Sequence, residues 1–179
     1  MNQSERKVVL NIACSLDGYI ATEEESLDWL FKIEGQEEAN KGIAEFDQTV
    51  DTVIMGRRTF DWVMKETKGE NPYKDKMTYV YSYTANESFE NVHYTKEEPK
   101  RLIEVMKSQK GKNIWLMGGG VVIRDFLEAD LVDELIITIA PVLLGEGISL
   151  FNNGNYHSEW TLKRTRQMGQ FAELNLTRK

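Results

Sequence analysis

Trp115-Leu116-Met117-Gly118-Gly119-Gly120-Val121-Val122 runs a short apolar pattern into three glycines and then into a helical pattern. Val53-Ile54-Met55-Gly56-Arg57-Arg58-Thr59 does the same earlier in the chain, with one glycine and two arginines. A short β-branched run that ends in glycine and feeds a helix reads as half of a parallel crossover. Working outward, Val8 to Cys14 is a third buried strand, followed by Asp17-Gly18. Helical spacing from about Gln36 to Gln48 puts Ala39, Ile43 and Phe46 on one face, and a short helix runs from Gly56 to about Lys65. Met77 to Tyr81 reads as a strand, Val92 to Tyr94 as a short one, and about Lys96 to Ser108 as a helix carrying Leu102, Ile103 and Met106. Asn113 to Met117 is a strand whose following helix reaches about Glu128, and Asp133 to Val142 is a long apolar strand. Glu159 to Gln167 and Gln170 to Arg178 form a hairpin joined at Met168-Gly169. The expected fold is α/β in three layers: a mixed, mostly parallel central sheet, flanking helices and a C-terminal antiparallel hairpin. No repeat or linker divides the 179 residues, so one domain is expected over 1–179.

Composition narrows the function. Hydrophobic residues make 41% and charged residues 28% of the chain, which suits a globular core and excludes a disordered or collagen-like chain. A net charge of −7 argues against nucleic acid, whose binders carry a basic surplus or stripe. No apolar run approaches the ~18 residues of a membrane span, and the polar start before Val8 does not resemble a signal peptide. With a single cysteine, Cys14, no internal disulfide is available, and the expected location is the cytoplasm.

The two glycine junctions are where chemistry is expected. The first turn of a helix has unpaired N–H groups and a partial positive charge, so it suits a phosphate. Glycine lets backbone approach that phosphate, and Arg57 and Arg58 add charge-assisted donors. The same glycines would serve a tight turn with no ligand at all. Neither junction matches the dinucleotide fingerprint G-x-G-x-x-G or the P-loop. Asp17 reads either as an acid near a ligand or as a turn former. His93 and His157 read as surface residues, Cys14 as a buried thiol, Glu23-Glu24-Glu25 as a solvated loop, and Trp29 with Leu30 and Phe31 as core. No metal site is expected.

Four segments, taken in order, resemble the dihydrofolate reductase-like superfamily, closest to the reductase domain at the C-terminus of riboflavin-biosynthesis (RibD-type) proteins. They are Ser15-Leu16-Asp17-Gly18-Tyr19-Ile20-Ala21, Met55-Gly56-Arg57-Arg58-Thr59-Phe60, Met117-Gly118-Gly119-Gly120, and Val132-Asp133-Glu134-Leu135 through Gly145-Glu146-Gly147. The resemblance implies an NADPH-dependent reductase acting on a small heterocycle. The substrate would be a pyrimidine, as in a 5-amino-6-(5-phosphoribosylamino)uracil reductase, or a pterin, as in a dihydrofolate reductase. It places Ala13 and Ile20 beside the nicotinamide. Gly56, Arg57, Arg58 and Thr59 fall at the adenosine-phosphate side, Ser82 at the 2′-phosphate, and Gly118, Gly119, Gly120 and Val121 at the pyrophosphate.

Two departures mark the substrate end. Dihydrofolate reductases carry a carboxylate on the first helix, and that place falls at Asn40, with Glu37 and Glu38 within a turn. The riboflavin-type reductases usually have lysine where this chain has Tyr19. Asp17, Asn40 and Glu38 are therefore the expected catalytic set. The apolar run Leu135 to Leu144, with Pro141 suggesting an edge or bulge, points to a homodimer. Two rival readings keep a related fold: a nucleotide-binding protein without turnover, and a flavin-mononucleotide protein.

Overall fold

The computed structural model describes residues 5–84 and 88–179. Its main sheet has eight strands. In chain order they are β1 (Val8–Ser15), β3 (Val50–Gly56), β4 (Met77–Tyr81), β5 (Val92–Thr95), β6 (Asn113–Gly118), β7 (Glu134–Ala140), β9 (Trp160–Met168) and β10 (Phe171–Arg178). A separate two-stranded ribbon pairs β2 (Tyr19–Ala21) with β8 (Ile148–Ser149). The helices are α1 (Asp28–Phe31), α2 (Gln36–Asp47), α3 (Arg57–Glu66), α4 (Pro99–Lys107) and α5 (Gly120–Glu128).

Spatial order in the sheet is β5-β4-β3-β6-β1-β7-β10-β9. The first six of these strands pair in parallel, and only β10 runs antiparallel, against β7 and β9. The expected mixed, mostly parallel sheet with a C-terminal hairpin is what the chain adopts. Parallel sheets need cover on both faces, and the strands show it. Alternate residues of β1 enter different cores: Val8 and Leu10 join α4 and α5, while Val9 joins Phe46 of α2 and Phe60 of α3. A third, smaller cluster packs Met168 and Phe171 of the hairpin against Trp29, Leu30 and Ala39.

Three boundaries differ from expectation, each for a local reason. The helix expected from Lys96 begins at Pro99, because proline holds Glu98 extended and suits the first helical position. The ribbon strands and α1 are too short for a periodic signal. Pro141 marks neither an edge nor a bulge. It lies just past the end of β7, which is an interior strand paired with β1 on one side and β10 on the other. That interior position accounts for the apolar run as far as Ala140, while Leu143 beyond it is exposed.

Leu116 in β6 is fully buried beneath α5. Leu116→Ala is expected to cost about 2–5 kcal/mol of stability with the denaturant slope unchanged. A loss under about 1 kcal/mol in urea unfolding would contradict that core assignment.

Candidate functional site

A cavity of about 830 Å³ opens where β3, β4 and β6 end, and extends under α2 toward β7 and β10. The crossovers explain its place. Each parallel strand delivers its carboxyl end to the same edge, and the next helix starts there.

At one end, α3 and α5 both point their first turns at the cavity. Their N-cap residues, Gly56 and Gly119, supply no side-chain cap, and neither helix has an acidic residue in its first turn. Gly119 has φ +68°, a conformation that L side chains rarely adopt. A Cβ there would stand 3.3 Å from Thr59 Oγ1 and 3.9 Å from Gly56 Cα, so the two glycine junctions touch. Arg57, Arg58, Thr59, Ser82, Gly120 and Val121 line this end, and Lys96 adds a cation that sequence patterning did not signal. Arg57 donates to Asp61 at 2.7 Å and lies 5.5 Å from the centre of the Tyr94 ring. Arg58 pairs with Glu25 across the cavity mouth, so the acidic loop is only partly a solvated one. The Ser82 hydroxyl donates to Thr84 O at 2.7 Å. Tyr81 lines the cavity with a buried hydroxyl, and its pKa is raised by burial and then by Asp125, Glu97 and Glu98.

The other end is built from α2 and the β1–β7–β10 side of the sheet. Asn40 and Ile43 of α2 line it, with Phe31 of α1. Ile43 is half exposed because it faces this cavity rather than the core. Ala13 and Ile20 line the stretch between the two ends. Strand register sets Ala13 opposite Thr138, and Thr138 opposite Glu173, a row across three strands on one face. Thr138 and Glu173 both line the cavity and were not among the expected residues. The signal existed in the hairpin: Phe171 and Glu173 share a strand face, and that face turned out to be the buried one.

Three expected residues are not brought to the cavity. Glu38 is an exposed residue of the first turn of α2 and does not line it. Gly118 is buried at the end of β6, where a Cβ would meet Ile12 Cδ1 at 3.2 Å. Asp17 lies outside, and its carboxylate is engaged elsewhere. It accepts the Ser15 hydroxyl at 2.6 Å, the Gly145 N–H at 2.7 Å and the Leu144 N–H at 3.1 Å. It thereby ties the β1–β2 turn to the loop after β7. The Ser15 hydrogen bond chiefly holds its carboxyl below the usual range, with the Gly145 and Leu144 N–H groups adding to it against a desolvation push upward. The expected thiol reading of Cys14 agrees with its setting: burial, then Asp17, pushes it up to about 11.

Because Asp17 titrates lower when folded, its stabilisation is present above its unfolded pKa of about 3.9 and is lost as pH falls through the lower folded value. The melting-temperature gap between the protein and Asp17→Ala should therefore stay constant from about pH 8 to pH 5 and shrink below about pH 4. A gap that does not change with pH would refute the clamp. Gly119→Ala should cost about 1–2 kcal/mol in thermal or urea unfolding, because Ala is strained at positive φ. Unchanged stability would show that the turn relaxes freely.

The 44% identical YwjB of Bacillus subtilis (strain 168), an uncharacterized protein, matches 97% of this chain and 99% of its own length. A crystal structure of a Shewanella sp. PV-4 protein, provisionally assigned to riboflavin biosynthesis, superposes with a TM-score of 0.86 at 30% identity, covering 97% of this chain and 99% of that one. Dihydrofolate reductase from Enterococcus faecalis, complexed with NADP(H), shares the fold at a TM-score of 0.65 and 18% identity, covering 97% and 96% of the two chains. The RibD C-terminal domain profile matches residues 6–172, and together with the ordered junctions and the sheet they organise, it places this chain in the RibD C-terminal domain family.

Proposed function

We propose that the protein is an NADPH-dependent reductase that delivers a hydride to a small heterocycle, a pyrimidine or pterin. The observation that carries the reading is the convergence of two uncapped, acid-free helix N-termini, α3 and α5, on one end of a single cavity. First-turn N–H groups have no partner within their own helix, and with the positive ends of α3 and α5 they suit the phosphates of a dinucleotide. The touching glycines keep Cβ atoms out of the space where phosphate would meet backbone.

The residues fit such a cofactor in a consistent order. Gly119, Gly120 and Val121 would hold the pyrophosphate, and Gly56 to Thr59 the adenosine side. Arg57, Arg58 and Ser82 would face the 2′-phosphate, for which Arg58 must release Glu25. Ala13 and Ile20 would wall the nicotinamide. When bound, NADPH supplies the hydride. Asn40 offers a donor and an acceptor to a ring but cannot ionise, so its part is orientation. The apolar lining excludes water from the reacting face.

NADPH should bind more tightly than NADH, read by calorimetry. Replacing either Arg57 or Arg58 with Gln should weaken NADPH about tenfold or more, since each charge-assisted contact is worth roughly 1.5–3 kcal/mol, and should leave NADH nearly unchanged. Equal affinities in the unmodified protein would count against the assignment. NADPH binding without oxidation, across a panel of pyrimidines and pterins followed at the nicotinamide absorbance, would favour a binding protein without turnover.

A further inference from the structure

We infer that the substrate is an uncharged planar ring bearing N–H donors, read by Glu173, and that it carries no phosphate. The inference rests on the division of the cavity proposed above, with the nucleotide on the β3–β6 side and the substrate beside α2.

The charge layout carries it first. The cations lining the cavity, Arg57, Arg58 and Lys96, all sit at the nucleotide end. Among the described residues that line the α2 end, none is a lysine, an arginine or a histidine. Lys32 and Lys41, the nearest along the chain, are exposed and do not line it. The charged group that does line this end is Glu173, whose side chain is only 9% exposed. A phosphate here would face a carboxylate in apolar surroundings with no free cation to offset it.

The glutamate is held in place rather than incidental. Arg166 Nη2 donates to one carboxylate oxygen at 3.2 Å, and Arg164 Nη2 approaches the other at 3.4 Å. Arg166 Nη1 is engaged in turn by Glu45 at 3.1 Å. Both arginines line a second cleft of about 280 Å³, which Glu173 also borders, and neither arginine lines the main cavity. Arg166 has its two terminal nitrogens on two carboxylates, its Nε is buried without a hydrogen-bond partner among the described residues, and the side chain does not line the main cavity where a substrate anion would sit. The helix above confirms that the pair needs room. Gly42 sits inside α2, where glycine is unfavourable, and a Cβ there would come within 2.2 Å of Arg166 Nη2.

These contacts are long, and a carboxylate has about four acceptor positions, so Glu173 can still accept N–H groups from a ligand. Thr138 stands opposite it in register, and Asn40 faces the same space from α2. Trp115, Tyr73 and Phe31 supply flat apolar walls. A ring with adjacent ring N–H and amino donors matches this set.

The test compares 5-amino-6-(ribosylamino)uracil with its 5′-phosphate, a pair that differs only in the phosphate, by calorimetry on the full chain. The unphosphorylated compound is expected to bind at least tenfold more tightly. Glu173→Gln should weaken it about tenfold while leaving the phosphate ester no weaker than before. Equal or tighter binding of the ester, binding of neither compound, or a folded Glu173→Gln variant with unchanged binding would overturn the inference. Should that variant fail to fold, Ile43→Lys places a cation on an exposed cavity position and should raise affinity for the ester; no gain would overturn the inference. NADPH titration of the same proteins is read separately, so loss of the cofactor reading and loss of the substrate class are distinct results.

Discussion

A parallel sheet must be covered on both faces, and each of its connections must cross over and return in the same direction. The rest of this structure follows from that constraint acting on β1. Its first three residues are almost wholly buried between two helical layers, with β6 on one side and β7 on the other. Once those neighbours run parallel, the carboxyl ends of six strands meet along one edge. The helices that follow β3 and β6 must begin there, and their first turns face the same space. The cavity is thus a consequence of strand direction before any side chain is considered.

Side chains then make its two ends unlike. Cations from α3 and from the segment after β5 gather where the helix N-termini converge. At the far end the antiparallel hairpin contributes a carboxylate instead, and its two arginines line a second cleft that the same carboxylate borders. Glycine permits close approach at both. Gly119 lets the α5 start come against Thr59, and Gly42 leaves space for the Arg166 guanidinium beneath α2. Each exchanges local backbone or helix stability for a contact that holds one wall of the cavity against the next.

The loops at the mouth are tied by polar contacts. Asp17 binds backbone N–H groups of the loop after β7, and the β2–β8 ribbon joins the same two segments again. Glu25 reaches Arg58 across the opening. Arg58 of that pair is exposed and Glu25 partly so, and such surface pairs contribute little to stability. The hydrogen bonds of Asp17 lie apart from that pair and anchor the loop independently of it.

Much of this was legible in the chain. Period-two and period-3.6 patterns, with glycine at the strand ends, sufficed for the sheet type, the order of elements and the two strand-to-helix junctions that meet at the cavity, because these depend on local spacing and on the handedness of crossovers. Ala13, Ile20, Asn40, Arg57 and Thr59 do line the cavity. What local pattern could not decide was which partner each polar residue would meet. Asp17 read either as an acid near a ligand or as a turn former, since the backbone N–H groups it clamps lie more than a hundred residues away. Pro141 looked like an edge marker until pairing made β7 interior. Glu173 was one charge in a polar hairpin until the register with Thr138 set it on the buried face under α2. Spacing along the chain reports which face a residue takes relative to its neighbours; only the packing of distant strands decides whether that face meets water, core or cavity.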